Sequence, residues 1–229
     1  MKLDRVVVDT RRGGGAEPLV VLFHGFMGRA DDLAAFARSM GVPALFVFPE
    51  GPIDLAPEGL RGRAWWPIDL DARCRQAATT GAPRDLSAFV PARIGEARAE
   101  IDALMDELQR AHPHMPLIVG GFSQGAMLSC DWALRTPHPP EALVQLSGAR
   151  ICADAWRAWM SKRPDMRAFV SHGRADDDLS FAAAEAFQGD MVAAGWEVTW
   201  FPFDGGHEIP LPALRALKKF LRSWGVSYS

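Results

Sequence analysis

Residues 115–135 read MPLIVGGFSQGAMLSCDWALR, and their reading decides the fold. Leu117 to Val119 is a short apolar run without polar alternation, as expected of a strand buried on both faces of a parallel sheet. A helical pattern follows from Gln124. Between the two, Gly121-Phe122-Ser123-Gln124-Gly125 matches GxSxG. The glycines have a steric purpose: a serine held on a sharp strand-to-helix turn leaves no room for side chains on either flank. Such a turn lifts the Ser123 hydroxyl above the sheet edge. It also aims the first N–H groups of the next helix at whatever that hydroxyl attacks. Ser147 and Ser171 also stand at strand ends, but without glycine on both sides at this spacing. A glycine-rich turn with an incidental serine is the competing interpretation, and the strand–turn–helix context argues against it.

Working outward, similar apolar runs recur at Val6–Val8, Leu19–Phe23, Ala44–Phe48, Leu143–Leu146, Ala168–Val170 and Val198–Phe203. Helical patterns lie between them. Ile94, Ala97, Ile101, Leu104, Met105 and Leu108 follow helical spacing, as do Leu214, Leu217, Phe220, Leu221 and Trp224 behind Pro212. Strand and helix in alternation predict one α/β domain over residues 1–229, a mostly parallel sheet with helices on both faces and no large cap. Right-handed crossovers put the loops after the strands along one edge, where such folds build their sites. Residues 50–91 break the alternation. They are rich in proline and glycine, show little periodicity, and hold Arg61, Arg63, Trp65 and Trp66. The expectation is a long loop near the site, either a surface loop pinned by its tryptophans or a wall with the tryptophans as apolar floor.

Composition narrows the function classes. Of 229 residues, 48% are hydrophobic and 23% charged, enough apolar matter for a sizeable core. Lys plus Arg number 25 against 28 Asp plus Glu, a net charge of −3, which gives no electrostatic case for nucleic acid or an anionic membrane. The three cysteines, Cys74, Cys130 and Cys152, have no CxxC spacing, so a disulfide framework or structural zinc is not expected. MKLDRVVVDT lacks the apolar run of a signal peptide, and no stretch has the length of a membrane helix. The expectation is a cytoplasmic globular protein of undetermined oligomeric state, with no stable membrane association. No GxGxxG follows the first strand and no GxxxxGK[ST] occurs. His112-Pro-His114 has no acidic neighbours, so no metal is expected.

A serine hydroxyl needs a general base, and the base needs a partner to fix its tautomer. Six histidines are available. His112 and His114 precede the nucleophile strand, at the wrong sheet edge, and His138 lies in a proline-rich turn after the nucleophile helix. His24 and His172 each precede a glycine at a strand end, where they are expected to hold loop geometry. His207, in FDGGHEIP after the last strand, sits on a turn able to swing an imidazole toward Ser123. The partner acid should come from a strand end between them. Asp176, Asp177 and Asp178 in SHGRADDDLS are available, and Asp204 competes from three residues before His207. The acids not used are expected to form a solvated turn. Acyl chemistry also needs donors for a developing oxyanion. One is the N–H of Gln124. The second is expected from the loop after LVVLFHGFMG, where Gly25 permits a tight turn and leaves the N–H of Phe26, or alternatively Met27, pointing inward.

The ordered set HGFMG, RAWW, GFSQGA, HGRAD and GHEIP, spanning Leu19 to Trp224, resembles the phospholipase/carboxylesterase family, α/β-hydrolases that include acyl-protein thioesterases. The resemblance implies an α/β-hydrolase fold with Ser123 as nucleophile, His207 as base and Asp176, fifth in HGRAD, as triad acid. It implies an oxyanion hole from the N–H groups of Phe26 and Gln124, no obligatory cofactor, and hydrolysis of ester or thioester bonds. Ala126 stands where many relatives have a second glycine. Asp177-Asp178-Leu179-Ser180 replaces the usual apolar and proline pattern.

The expected activity is therefore that of a serine carboxylesterase with a small-molecule, short-acyl ester substrate. Cleavage of longer acyl thioesters or lysophospholipids is the alternative. Phe26, Met27, Trp65 and Trp66 suit either a short or a long slot. A non-catalytic binding protein on a hydrolase scaffold is the rival from another class.

Overall fold

A computed structural model describes residues 3–13 and 17–224. The outermost residues of the expected 1–229 domain, and 14–16, lie outside the described residues. Among the described residues, nine strands and seven α-helices follow one another: β1 (Arg5–Asp9), β2 (Leu19–Phe23), α1 (Ala30–Met40), β3 (Leu45–Pro49), β4 (Ile53–Asp54), β5 (Arg63–Ala64), α2 (Leu70–Thr80), α3 (Ile94–Ala111), β6 (Leu117–Phe122), α4 (Gln124–Arg135), β7 (Ala142–Leu146), α5 (Ala153–Met160), β8 (Arg167–Gly173), α6 (Phe181–Ala193), β9 (Glu197–Phe203) and α7 (Leu211–Arg222).

Seven strands form one sheet in the order β1-β3-β2-β6-β7-β8-β9, with β4 and β5 making a separate small hairpin. Only the β1–β3 pairing is antiparallel within the large sheet. β2, β3 and β7 are buried at every residue, and β6 at all but Phe122, which is why their sequences read as continuous apolar runs. The edge strands β1 and β9 are partly exposed.

Two apolar layers cover the two faces. Val20, Leu22, Phe46 and Val144 pack with Leu33 and Ala37 of α1 and Leu217 and Leu221 of α7. Val21, Phe23, Val119 and Leu143 pack with Ile101 of α3, Leu128 of α4, Trp156 of α5 and Phe187 of α6. Among the described residues, no helix is long and apolar enough to cross a membrane.

After β2 the chain moves outward to β3, then returns to β6 on the other side of β2. The strand order thus reverses between β2 and β6, and the loops at their carboxyl ends part there to leave a crevice. His24-Gly25 and Ser123 leave the sheet at this point, since Phe23 pairs with Gly121 in register.

Residues 50–91 are not simply loop. They contain the β4–β5 hairpin and the eleven-residue helix α2, of which no residue is buried. α2 escapes a periodicity reading because it forms by capping and propensity. The Asp69 carboxylate accepts from the Ala72 N–H, Gly81 closes the helix with a left-handed φ of 59°, and Ala, Arg and Gln fill its middle.

Candidate active site

Ser123 has φ 53° and ψ −117°, a sparsely populated conformation for a residue with a side chain. The flanking glycines make it possible. A Cβ on Gly121 would overlap the Phe23 carbonyl oxygen, and one on Gly125 would overlap the carbonyl oxygens of Phe23 and His24. β2 therefore presses directly against the turn. The Ser123 N–H donates to the Leu146 carbonyl (2.9 Å), continuing the ladder to β7 and fixing the turn from its other side.

Beside Ser123, His207 Nε2 lies 2.8 Å from the hydroxyl oxygen, and His207 Nδ1 lies 2.8 Å from Asp176 Oδ2. Asp176 is buried, and its other oxygen accepts from the N–H groups of Asp178 (2.9 Å) and Leu179 (2.8 Å). His172 Nε2 adds a further contact to Oδ2 at 3.2 Å and shares its proton with the Leu179 carbonyl at 3.1 Å. Burial pushes the Asp176 carboxyl up, but hydrogen bonds from His172 and His207 outweigh it and hold the group well below the usual carboxylate range. An ionised Asp176 can only accept, so His207 carries its proton on Nδ1. Nε2 is then the acceptor for the Ser123 hydroxyl.

The two loops carrying Asp176 and His207 are zipped together. Arg174 N–H donates to the Phe203 carbonyl (2.8 Å) and Ala175 N–H to the Gly205 carbonyl (2.9 Å). Phe122 packs its ring 5.0 Å from the His207 imidazole, and the Ser147 hydroxyl donates to the Glu208 carbonyl (3.1 Å). The other acids lie elsewhere. Asp177 is exposed, and Asp204 is exposed and faces Arg174 at 3.6 Å. Asp178, expected to be solvated, is largely covered instead. Its Oδ1 takes Arg73 at 2.8 Å and Arg84 at 2.5 Å. Sequence reasoning did not anticipate this cluster, and the departure from the family pattern at Asp177-Asp178 was its only trace.

His24 ties down the loop across the crevice. The Gly51 N–H donates to His24 Nε2 (2.9 Å), so Nδ1 bears the proton and donates to the Gly25 carbonyl (2.7 Å). Burial lowers the His24 pKa, which keeps this ring neutral. The Met27 N–H donates to the Arg63 carbonyl (3.0 Å), and the Arg63 N–H donates to Gly28 (3.1 Å). Of the two N–H groups proposed from this loop, Met27's is therefore occupied. Those of Phe26 and Gln124 make no hydrogen bond among the described residues, and both residues line a cavity with Ser123.

That cavity holds about 390 Å³. Its walls are mostly apolar, with Trp66, Ile68, Leu86, Phe89, Met127 and Leu179 prominent, and Arg73, Arg84, Asp69 and Asp178 interrupt them. Trp66 is thus a lining residue, whereas Trp65 and Met27 are not. Trp65 is buried behind the wall, edge-on to Phe23 at 5.2 Å, with its indole N–H donating to the His24 carbonyl (2.8 Å). Met27 is exposed. The buried Gln124 side chain was also overlooked in the sequence. Its carbonyl oxygen accepts from the Trp65 N–H and its amide donates to the Trp66 carbonyl, both at 2.9 Å. The residue after Ser123 therefore clamps the wall in place.

His112 and His114 precede β6, and His138 precedes β7, at the sheet edge opposite Ser123. Among the described residues, no group of three or more His, Cys, Asp or Glu is placed to hold a metal ion.

Comparison with known proteins agrees with the fold. A profile of the phospholipase/carboxylesterase family matches residues 6–225. Among solved structures, esterase PE8 is similar at 26% identity and a TM-score of 0.78, with 97% of this chain and 99% of that one covered. A carboxylesterase from Mesorhizobium loti aligns at 19% identity and a TM-score of 0.72, covering 96% and 94%. Acyl-protein thioesterase 2 from Zea mays aligns at 20% and 0.71, covering 97% and 99%. The last two show the shared fold.

Proposed function

The chain belongs to the phospholipase/carboxylesterase family of α/β-hydrolases, and from that premise we propose that it is a serine carboxylesterase acting on small, short-acyl esters through an acyl-enzyme. The observation that carries the reading is the hydrogen-bonded chain from Asp176 through His207 to Ser123, with 2.8 Å at each link. In the proposed cycle, Ser123 Oγ attacks the ester carbonyl while His207 Nε2 takes its proton. The charge on the carbonyl oxygen falls to the N–H groups of Phe26 and Gln124, each worth roughly 3 kcal/mol in such sites. The imidazolium, steadied by Asp176, then protonates the departing alkoxide as the carbon–oxygen bond breaks. Water repeats the sequence on the acyl-enzyme, with His207 as base, and releases the acid.

The wall supports the short-acyl preference. Arg73, Arg84 and Asp178 place charge along the cavity that holds Ser123, and a long alkyl chain would have to lie against them. The volume of about 390 Å³ is what favours the longer-chain alternative, since it exceeds the needs of an acetyl group. We further place its work in the cytoplasm and without structural zinc on the cysteine pattern, without nucleic acid on the charge balance, and without a cofactor as the family resemblance implies.

Ser123→Ala is expected to lower turnover of 4-nitrophenyl acetate on the order of 10⁶-fold while the circular dichroism stays that of the parent. A variant keeping a tenth of the parental rate sinks the nucleophile assignment. Labelling of the parent by a fluorophosphonate separates an esterase from a non-catalytic binder, because only an activated serine reacts.

A further inference from the structure

A second depression meets the reacting groups from the other side. It holds about 320 Å³, and Phe26 is common to both spaces. His207 lines this groove and not the first cavity, whereas Ser123 and Gln124 line the first cavity and not the groove. The chemistry of acyl transfer gives this asymmetry a direction. The acyl carbonyl must sit over Ser123 with its oxygen toward the Phe26 and Gln124 N–H groups, which puts the acyl chain in the first cavity. The departing oxygen must receive its proton from His207, which puts the leaving group on the groove side.

Leu33, Phe36, Phe122 and Ile209 give the groove apolar and aromatic walls. Its only ordinarily charged lining groups are carboxylates, Asp32 and Glu208, with no lysine or arginine among the lining residues. His24 supplies no compensating charge, because burial lowers its pKa. Asp32 Oδ2 accepts from the Arg29 N–H (2.8 Å), a contact that leaves its charge in place, and the Arg29 guanidinium faces Glu50 at 3.5 Å.

Resting on the esterase reading above, we propose that this groove is the leaving-group site and that it selects aromatic or apolar alcohols that are neutral or cationic over those bearing phosphate or sulfonate. The preference is electrostatic and sits on exposed carboxylates, so its size is modest and sensitive to salt.

Two acetate esters test it, because they share one acetyl-enzyme and differ only in the departing phenol. They are 3-(trimethylammonio)phenyl acetate and 4-sulfophenyl acetate, each rate normalised to its own hydroxide-catalysed hydrolysis. At low ionic strength the cationic ester is expected to have the higher kcat/KM by roughly tenfold, from two rim charges each worth at most about fivefold. The ratio should shrink in about 0.5 M salt as the screening length contracts. It should approach one in Asp32→Asn/Glu208→Gln. Glu208→Gln alone, at an exposed position, should lose about half of the logarithmic preference and serves if the double variant fails to fold. Equal or reversed preference in the parent, or a preference the variants leave intact, overturns the groove while the esterase reading stands. Cleavage of neither ester, with no acetyl group found on Ser123 by mass, overturns both.

Discussion

Two helices face each other across the cavity, and they are held in opposite ways. α4 contributes Gln124 and Met127 to the lining, and every one of its residues but Arg135 is buried. α2 contributes Ala72, Arg73 and Gln76, and none of its residues is buried. The first is part of the core and carries the reacting serine at its start. The second lies on the surface, fixed by its caps and by the bond from Arg73 to Asp178. Chemistry that tolerates little displacement is mounted on the element that cannot move. The wall that meets the substrate is mounted on the one whose sequence can change without disturbing the core.

The sharpest way to break this contrast is at the turn leading into α4. Gly125→Ala puts a methyl group into the carbonyl oxygens of Phe23 and His24, both of them buried residues. The only relief is to part β2 from the turn, which also separates the Phe26 and Gln124 N–H groups. We expect a loss of roughly 3 kcal/mol in urea unfolding and of at least about 10²-fold in kcat for 4-nitrophenyl acetate. Gly81→Ala at the end of α2, where a Cβ meets nothing within 4 Å, should cost only about 1 kcal/mol, for its left-handed φ. Comparable losses from both would mean that α4 is no more rigidly seated than α2.

The same contrast explains what the sequence made legible. GFSQG could be read because its constraint is local: two glycines are needed wherever a serine sits on such a turn. The buried strands could be read because burial on both faces suppresses alternation. His207 followed from chain order after the turn. Asp176 did not follow from the residues alone, since four aspartates satisfied the same requirement and only the family pattern chose among them. What sets Asp176 apart is its reception of the Asp178 and Leu179 N–H groups together with two imidazoles, a property of the folded loop. Similarly, the occupation of the Met27 N–H depends on Arg63, and the burial of Trp65 on Gln124, pairings between distant segments. α2 was hidden because its residues bury nothing, although Asp69 and Gly81 bracket it as a cap pair that could have been noticed.

A smaller effect is expected beneath α4. Asp131 is fully buried and accepts from Arg98 (2.9 Å), Arg135 (2.8 Å) and the Trp156 indole (3.2 Å), joining α3, α4 and α5. Burial raises its pKa, but the two guanidinium groups prevail and hold the carboxyl below the usual carboxylate range. A carboxyl lowered on folding stabilises the protein above the unfolded value and loses that contribution as pH falls toward the folded one. Asp131→Asn should therefore cost about 2 kcal/mol at pH 7, less than for a fully buried pair because both arginines keep some contact with water. The gap between parent and variant in urea unfolding should close progressively below about pH 4. A gap independent of pH between 3 and 7 would show that the charge at Asp131 contributes nothing to the anchoring of α4.

The smallest effect belongs to α2. Arg73 is one-third exposed and shares Asp178 Oδ1 with Arg84, which remains in place when Arg73 is removed. Arg73→Met should therefore change stability by less than about 1 kcal/mol. Its consequence lies in the wall, where a thioether replaces a charge among Ile68, Leu86 and Leu179. The ratio of kcat/KM for 4-nitrophenyl octanoate to that for the acetate should rise, by roughly three- to tenfold, since apolar area on a few methylene groups is gained from a wall they formerly shared with a cation. A ratio that stays at the parental value would mean that the acyl chain does not reach α2, and the limit on chain length would have to be sought nearer Ser123, at Phe26, Trp66 or Met127. A stability loss as large as that of Asp131→Asn would instead make α2 a structural member of the fold, and the division of labour between the two helices would fail.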